Sequence, residues 1–231
     1  MKRFWKQAEA VPAEGGFAIA LDGKPMRTPA KRPLVVTTRA LAEAIAGEWN
    51  EQPADFNPET MALTRFANTA VDRVADLRAE VVAELANWAG TDLVCYRATE
   101  PDDLIARQAE AWDPWVDWVR RRFDVELAVT AGLMPVRQPE TVVGRMAAAL
   151  EHRGDADLAA LHTMVGILGS LVLALAVAEG EIALEAAWKA SRVDDDYQIE
   201  KWGEDAEAAD RAARQRADLG HAHRFLGLLA G

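Results

Sequence analysis

A chain of 231 residues that is 50% apolar is long enough for one large domain or two small ones and can fill a sizeable core. Its formal net charge of -11 repels phosphate backbones, and no basic stripe with interleaved aromatics offsets that locally, so nucleic acid is set aside as a partner. The single cysteine, Cys95, cannot form an internal disulfide, which leaves an intracellular compartment as the default.

The opening "MKRFWKQAEAVPAEGG" lacks the apolar core of a secretory signal and is too acidic for a mitochondrial transit peptide, as expected of a bacterial or already mature chain. Next, "FAIAL" alternates Phe17, Ile19 and Leu21 on one face of a strand, and Asp22-Gly23 is the dipeptide a two-residue hairpin turn favours. Met26 to Thr28 returns along it, and "PLVV" after Pro33 is a third candidate strand. From Thr38 the period changes. Leu41, Ile45 and Trp49 share one face of a helix near 38–52 that starts at a Thr37-Thr38 cap, so Trp49 reads as a packing residue.

Asn57 as cap and Pro58 at the first helical position open the next helix. Further apolar stripes follow: Leu77, Val81, Leu85 and Trp88; then Leu104, Gln108, Trp112, Trp115 and Val119; then Val142, Val143, Met146 and Leu150. Between them only "VELAVT", residues 125–130, resembles a strand. The longest apolar run, Met164 to Ala178, falls short of the roughly 20 residues that cross a bilayer and reads as one buried central helix, with Gly166, Gly169 and Ser170 spaced to admit a neighbouring helix closely. The expected class is α+β: a small β-rich N-terminal domain, residues 1–57, followed by a larger all-helical C-terminal domain, residues 58–231.

Enzyme signatures are missing. The chain has no phosphate-binding G-x-x-x-x-G-K-[ST] loop, no G-x-G-x-x-G after a strand and no G-x-S-x-G elbow, so binding or hydrolysis of ATP is not expected. His152 and His162 are separated by Gly154, and His221 and His223 point to different sides of a helix, so metal-ligand spacing fails. Cys95, flanked by apolar residues, reads as a small core filler.

One stretch is unusual: "SRVDDDYQIEKWGED", residues 191–205, with six carboxylates in fifteen positions. Read as a helix over 193–210, it stacks Asp196, Glu200 and Glu204 on one face and turns Ile199, Trp202, Ala206 and Ala209 toward the core. Three readings stay open on the residues alone: a solvated acidic face, a surface that docks another protein, or a Mg²⁺ site of an enzyme on a helical scaffold, the last weakened because the D-D-x-x-D pattern is not met. Gly203 inside a helical pattern costs about 1 kcal/mol relative to Ala, which suggests a kink or a close approach. Eight tryptophans exceed what a core alone requires and favour docking.

Six motifs in order, "LDGKPMRTPAKRPLVV", "LAEAIAGEWNEQ", "MALTRFANTAVDRV", "TDLVCYRA", "QAEAWDPWVDW" and "SRVDDDYQIEKWGED", resemble the assembly chaperones of the ATP synthase F(1) sector, specifically the member that attends the α subunit. The resemblance implies a β-rich N-terminal and a helical C-terminal domain, no catalysis, no cofactor, and transient capture of the free α subunit before it pairs with β. It further implies a location in the bacterial cytoplasm, or in the mitochondrial matrix for eukaryotic members. Under it the acidic stretch becomes the partner-binding surface, with Asp194, Asp195, Gln198, Lys201, Trp202, Glu204 and Asp205 as its residues and Asp194 where the family carries an acid ahead of Tyr197, Gln198 and Trp202. Charge reversal at Asp194 is then expected to abolish capture while sparing the fold.

Overall fold

Strand β2 (Gly16–Leu21) is the centre of the N-terminal sheet in the computed structural model, which describes residues 1–132, 134 and 136–231. Strand β1 (Ala8–Ala13) pairs antiparallel along one of its edges, while β3 (Lys24–Pro25) and β4 (Val35–Val36) pair with it antiparallel at its two ends. The Asp22-Gly23 turn holds both residues at positive φ, 48° and 78°, as a tight hairpin turn requires. Two features differ from the sequence reading. Strand β1 was not expected, because "AEAVPA" carries small residues and Pro12, which an edge strand tolerates. Burial in β2 does not alternate either: Ala18, Ile19, Ala20 and Leu21 are all buried, and the small alanines allow both faces to be covered.

Helix α1 (Arg39–Asn50) packs on β1 and β2. Thr38 caps it, its hydroxyl accepting from the Leu41 N–H at 3.2 Å and donating to the Leu228 carbonyl at 2.6 Å. Leu41 and Ile45 are fully buried, and Trp49 is half-buried, its indole N–H donating to Thr64 Oγ1 at 3.1 Å and its ring 4.7 Å from that of Trp5. Trp49→Ala is therefore expected to cost about 3 kcal/mol, the low end of the range for buried aromatics. Thermal melting of the variant checks this, and an unchanged midpoint would show that the indole holds nothing.

Asn57 caps only a single tight turn, Pro58–Thr60; α2 (Ala62–Thr69) begins after it and runs into a wider turn at Ala70–Val74. In α3 (Arg78–Asn87) Val81 and Leu85 are buried as expected, whereas Leu77 precedes the helix and is exposed. Packing divides the chain into two compact units: residues Met1–Arg78, Gly154–Ala160 and Gly220–Gly231 form one, and Ala79–Arg153 with Leu161–Leu219 the other. The chain end thus belongs to the first unit, where the buried Phe225 ring lies 5.3 Å from Phe66. We propose residue 57 as a boundary of composition, between strand-rich and helical sequence, which is a separate matter from the packing units.

The second unit contains most of the helices: α4 (Asp102–Phe123), α5 (Glu140–Glu151), most of α6 (Asp155–Leu168), α7 (Leu171–Ala178), α8 (Leu184–Ser191), α9 (Val193–Trp202) and most of α10 (Ala206–Leu229). A two-residue parallel pairing joins β5 (Tyr96–Arg97) to β6 (Thr130–Ala131). Of "VELAVT" only Thr130 enters that ladder; Val125 and Leu127 bury alternate side chains, and among the described residues no strand pairs with them. With helices dominant, the class is α+β with a small N-terminal strand region.

The apolar run at 164–178 is two helices instead of one. Gly169, at φ +64°, ends α6, and Ser170 caps α7 by accepting from the Leu173 N–H at 3.0 Å. A Cβ on Gly166 would meet nothing and one on Gly169 only Leu93 at 4.0 Å, so neither glycine serves close helix packing. What sets the break is Asp92, a fully buried carboxylate that accepts from the Val172 N–H at 3.0 Å and the Val94 N–H at 3.3 Å, with the Ser170 hydroxyl donating as well. Burial pushes its pKa up to about 6, against the restraint of those hydrogen bonds. The folded protein therefore holds a proton that the unfolded chain releases above its ordinary value of 3.8, and stability falls as pH rises through the window from 3.8 to about 6. Asp92→Asn is expected to remove that slope, so the difference in melting temperature between variant and wild type changes between pH 4 and 7; a constant difference would contradict it. Cys95 is buried, and burial raises its thiol to about 12, in keeping with a core filler.

A candidate docking face on helix α9

Three aspartates open α9 because its first turn exposes unpaired N–H groups, where negative charge is favoured, and Lys201 lies in the last turn, where positive charge is. Gly203, at φ +90°, then ends the helix; a Cβ there would meet no atom, so the glycine supplies backbone freedom and not a close approach. The helix expected over 193–210 is thus two. Glu204 lies beyond the break, off the face of Asp196 and Glu200, and Asp205 accepts from the Ala208 N–H at 2.8 Å at the start of α10.

Helix α9 runs antiparallel to α4, and the register is fixed by side chains. The Trp112 indole donates to the Ala190 carbonyl at 2.7 Å, Gln108 Nε2 to Asp194 Oδ1 at 2.6 Å, Arg107 to Glu200 at 2.8 Å, and the Tyr197 hydroxyl to Asp103 at 2.9 Å. Lys201 Nζ lies 3.5 Å from the same Asp103. Tyr197 is buried between two cations, Arg107 at 5.3 Å and Lys201 at 4.9 Å from its ring centre. The Tyr197 hydroxyl, then Lys201, hold the Asp103 carboxyl below its ordinary value, and Arg107 does the same for Glu200. Asp195 and Asp196 pair with Arg192 at 3.1 and 3.4 Å.

Most of the acidic run is therefore engaged within the molecule. The stacked carboxylates a Mg²⁺ site would need do not assemble: Asp196 and Glu200 are paired with arginines, Glu204 is on the far side of the helix break, and among the described residues no group of three or more His, Cys, Asp or Glu is placed to hold a metal ion. Trp202 does not face the core either. It is 77% exposed, the largest departure from the helical reading, because the helix ends at the next residue and among the described residues no element covers it.

Asp194, Gln198 and Trp202 fall four apart along one face of α9 and line one depression of about 450 Å³ together with Glu100, Leu104 and Gln108. Gln198 and Trp202 also line a second depression of about 480 Å³ with Asp195, Arg192, Trp188 and Arg211. Trp202 stands as the ridge between them. Of the expected residues, Asp194, Asp195, Gln198, Trp202 and Asp205 surround these depressions; Lys201 is turned to Asp103 and Tyr197, and Glu204 is exposed outside both.

Gln108 was read as part of an apolar stripe. It is buried and uses its whole amide: Oε1 accepts from the Ala98 N–H at 2.7 Å while Nε2 holds Asp194, and its backbone carbonyl accepts from Arg97 at 2.8 Å. Arg97 in turn covers the Trp112 ring at 5.1 Å. A lone amide among tryptophans and leucines was the only signal of this, and it gave no indication of the acceptor.

Among the described residues no helix is long and apolar enough to cross a membrane. The family model described as ATP12 chaperone protein matches residues 2–120, which takes in most of α4 but stops short of α9. The mitochondrial protein atp12 of the fission yeast Schizosaccharomyces pombe is 24% identical over 224 residues, covering 90% of this chain and 77% of the yeast protein. Among solved structures, Atp12 from Paracoccus denitrificans is similar with a TM-score of 0.95 at 41% identity, over 99% of this chain and 98% of that one. The Atu1473 protein from Agrobacterium tumefaciens matches with a TM-score of 0.94 at 42% identity, over 99% of this chain and 86% of that one.

Proposed function

Since the chain belongs to the ATP12 chaperone family, whose members assemble ATP synthase, we propose that it captures the free α subunit of the F(1) sector and releases it to the β subunit. The observation that carries this reading is Trp202, a large aromatic left exposed as a ridge between two depressions on an acidic helix. Aromatic side chains dominate binding energy at protein interfaces, and a ridge flanked by hollows is a shape that another protein surface can enclose. An α subunit waiting for β exposes apolar interface that aggregates unless covered. The cover must also leave, which suits one anchoring aromatic with surrounding charge that speeds association without deep burial.

The proposed partner-binding residues are Asp194, Asp195, Gln198, Trp202, Glu204 and Asp205, with Lys201 as the residue that fixes Tyr197 behind them. No catalytic residue is assigned, and in a bacterium the proposed setting is the cytoplasm. The test is suppression of aggregation, in which isolated α and β subunits are diluted from denaturant with and without the chaperone and light scattering is followed. The expected result is that α stays soluble and β does not. Protection of β alone, or of neither, would overturn the assignment.

A further inference from the structure

We propose that the depression on the Asp194 side of Trp202 receives an arginine or lysine side chain of the partner subunit, a reading that rests on the chaperone role above. The argument is one of charge. Among the described residues, each cation beside this cleft lies at ion-pair distance from a carboxylate: Arg107 from Glu200 at 2.8 Å, Lys201 from Asp103 at 3.5 Å and Arg97 from Asp113 at 2.8 Å, although the buried Nε and Nη2 of Arg97 make no hydrogen bond. Among the same residues, two carboxylates in its lining have no cation at that distance. Among the described residues, Asp194 is bonded only to the neutral Gln108 amide, through Oδ1, and Glu100 has no charged partner. The depression on the other side of Trp202 is balanced, with Arg192 and Arg211 against Asp195 and Asp205. A cationic group thus gains in the first and gains nothing in the second.

Shape agrees with charge. The antiparallel register places Gln108 and Asp194 at one end of the cleft, and Glu100, two residues before α4 begins, with Trp202 toward the other. From Asp194 to Trp202 the helix rises about 12 Å, so a cation bound at Asp194 leaves its aliphatic stem and a flanking residue over Gln198, Leu104 and the open face of Trp202. Tyr197 cannot share this task, because both cations near it, Arg107 and Lys201, already occupy its ring. Gln108 has a defined part: it holds one carboxylate oxygen of Asp194, which leaves the second for a charge-assisted hydrogen bond from the incoming group.

Two measurements test this on the full chain. In the first, N-acetyl-arginine amide and its neutral counterpart N-acetyl-citrulline amide are titrated while the Trp202 indole N–H is followed by NMR, assigned with Trp202→Phe. The arginine amide is expected to shift the signal in the millimolar range and the citrulline amide not, and Asp194→Asn, which still offers an acceptor to Gln108, is expected to abolish the difference. In the second, capture of isolated α subunit is expected to weaken about tenfold or more in Asp194→Asn, at an unchanged melting temperature, and to stay within about twofold in Arg121→Gln, near the other end of α4 and outside both depressions. Equal shifts from both amides, or full capture by Asp194→Asn, would overturn the cleft assignment. A wild-type protein that distinguishes the two amides yet ignores α subunit would uphold the cleft and overturn the choice of partner.

Discussion

Trp112→Ala is expected to leave little folded protein at ambient temperature. The side chain is completely buried, its indole N–H donates to the Ala190 carbonyl at 2.7 Å, and its ring carries the Arg97 guanidinium at 5.1 Å. Deleting a core tryptophan costs about 3–5 kcal/mol, and a buried carbonyl left without its donor adds about 1–3 kcal/mol. Together these rival the whole stability of a typical domain, about 5–15 kcal/mol. The loss also reaches the docking face, since the same indole anchors the end of α8 just before α9 begins. Trp112→Phe separates the two contributions: it keeps most of the apolar contact and drops the hydrogen bond, so it should fold with a melting temperature between those of wild type and the alanine variant. An alanine variant that melts within a few degrees of wild type would show that α4 and α8 are not held together here.

Asp194→Lys is expected to lose α-subunit capture and, unlike the expectation from sequence, to melt lower than wild type. A solvated aspartate in an acidic run should tolerate lysine within about 0.5 kcal/mol. Asp194 is half-buried instead, and a lysine cannot accept the hydrogen bond of Gln108, whose other amide end is already used by Ala98. An orphaned buried donor costs about 1–3 kcal/mol, and a cation in the first turn of α9 opposes the helix dipole. Loss of capture in this variant therefore mixes a local disturbance with a reversed charge. Melting temperature and suppression of α-subunit aggregation should be measured on one preparation, with Asp194→Asn alongside. If the lysine variant still keeps α subunit soluble, Asp194 is no part of the docking face. Capture by wild type should also weaken as salt rises, because exposed charges are screened.

Local signals in the sequence determined what a turn or one helical face can determine. Thr38 caps α1, Asp22-Gly23 turns the hairpin, and the stripe through Gln108, Trp112 and Val119 faces the core, because each depends on neighbours within a few residues. Membership in a chaperone family was also legible, as ordered motifs along the chain. Tertiary structure decided the rest. The apolar run at 164–178 breaks where it does because Asp92, 80 positions before Val172, binds the start of α7. The role of Gln108 depends on an acceptor 86 positions away, which no periodicity announces. Trp202 is exposed because a helix that looked continuous stops at Gly203, and a glycine at a helix end and one inside a helix read alike until the chain beyond takes its course. Charge followed the same division: the sequence counts carboxylates, but only the packing of α9 on α4 decides which of them are matched inside the molecule and which, like Asp194, remain to meet a partner.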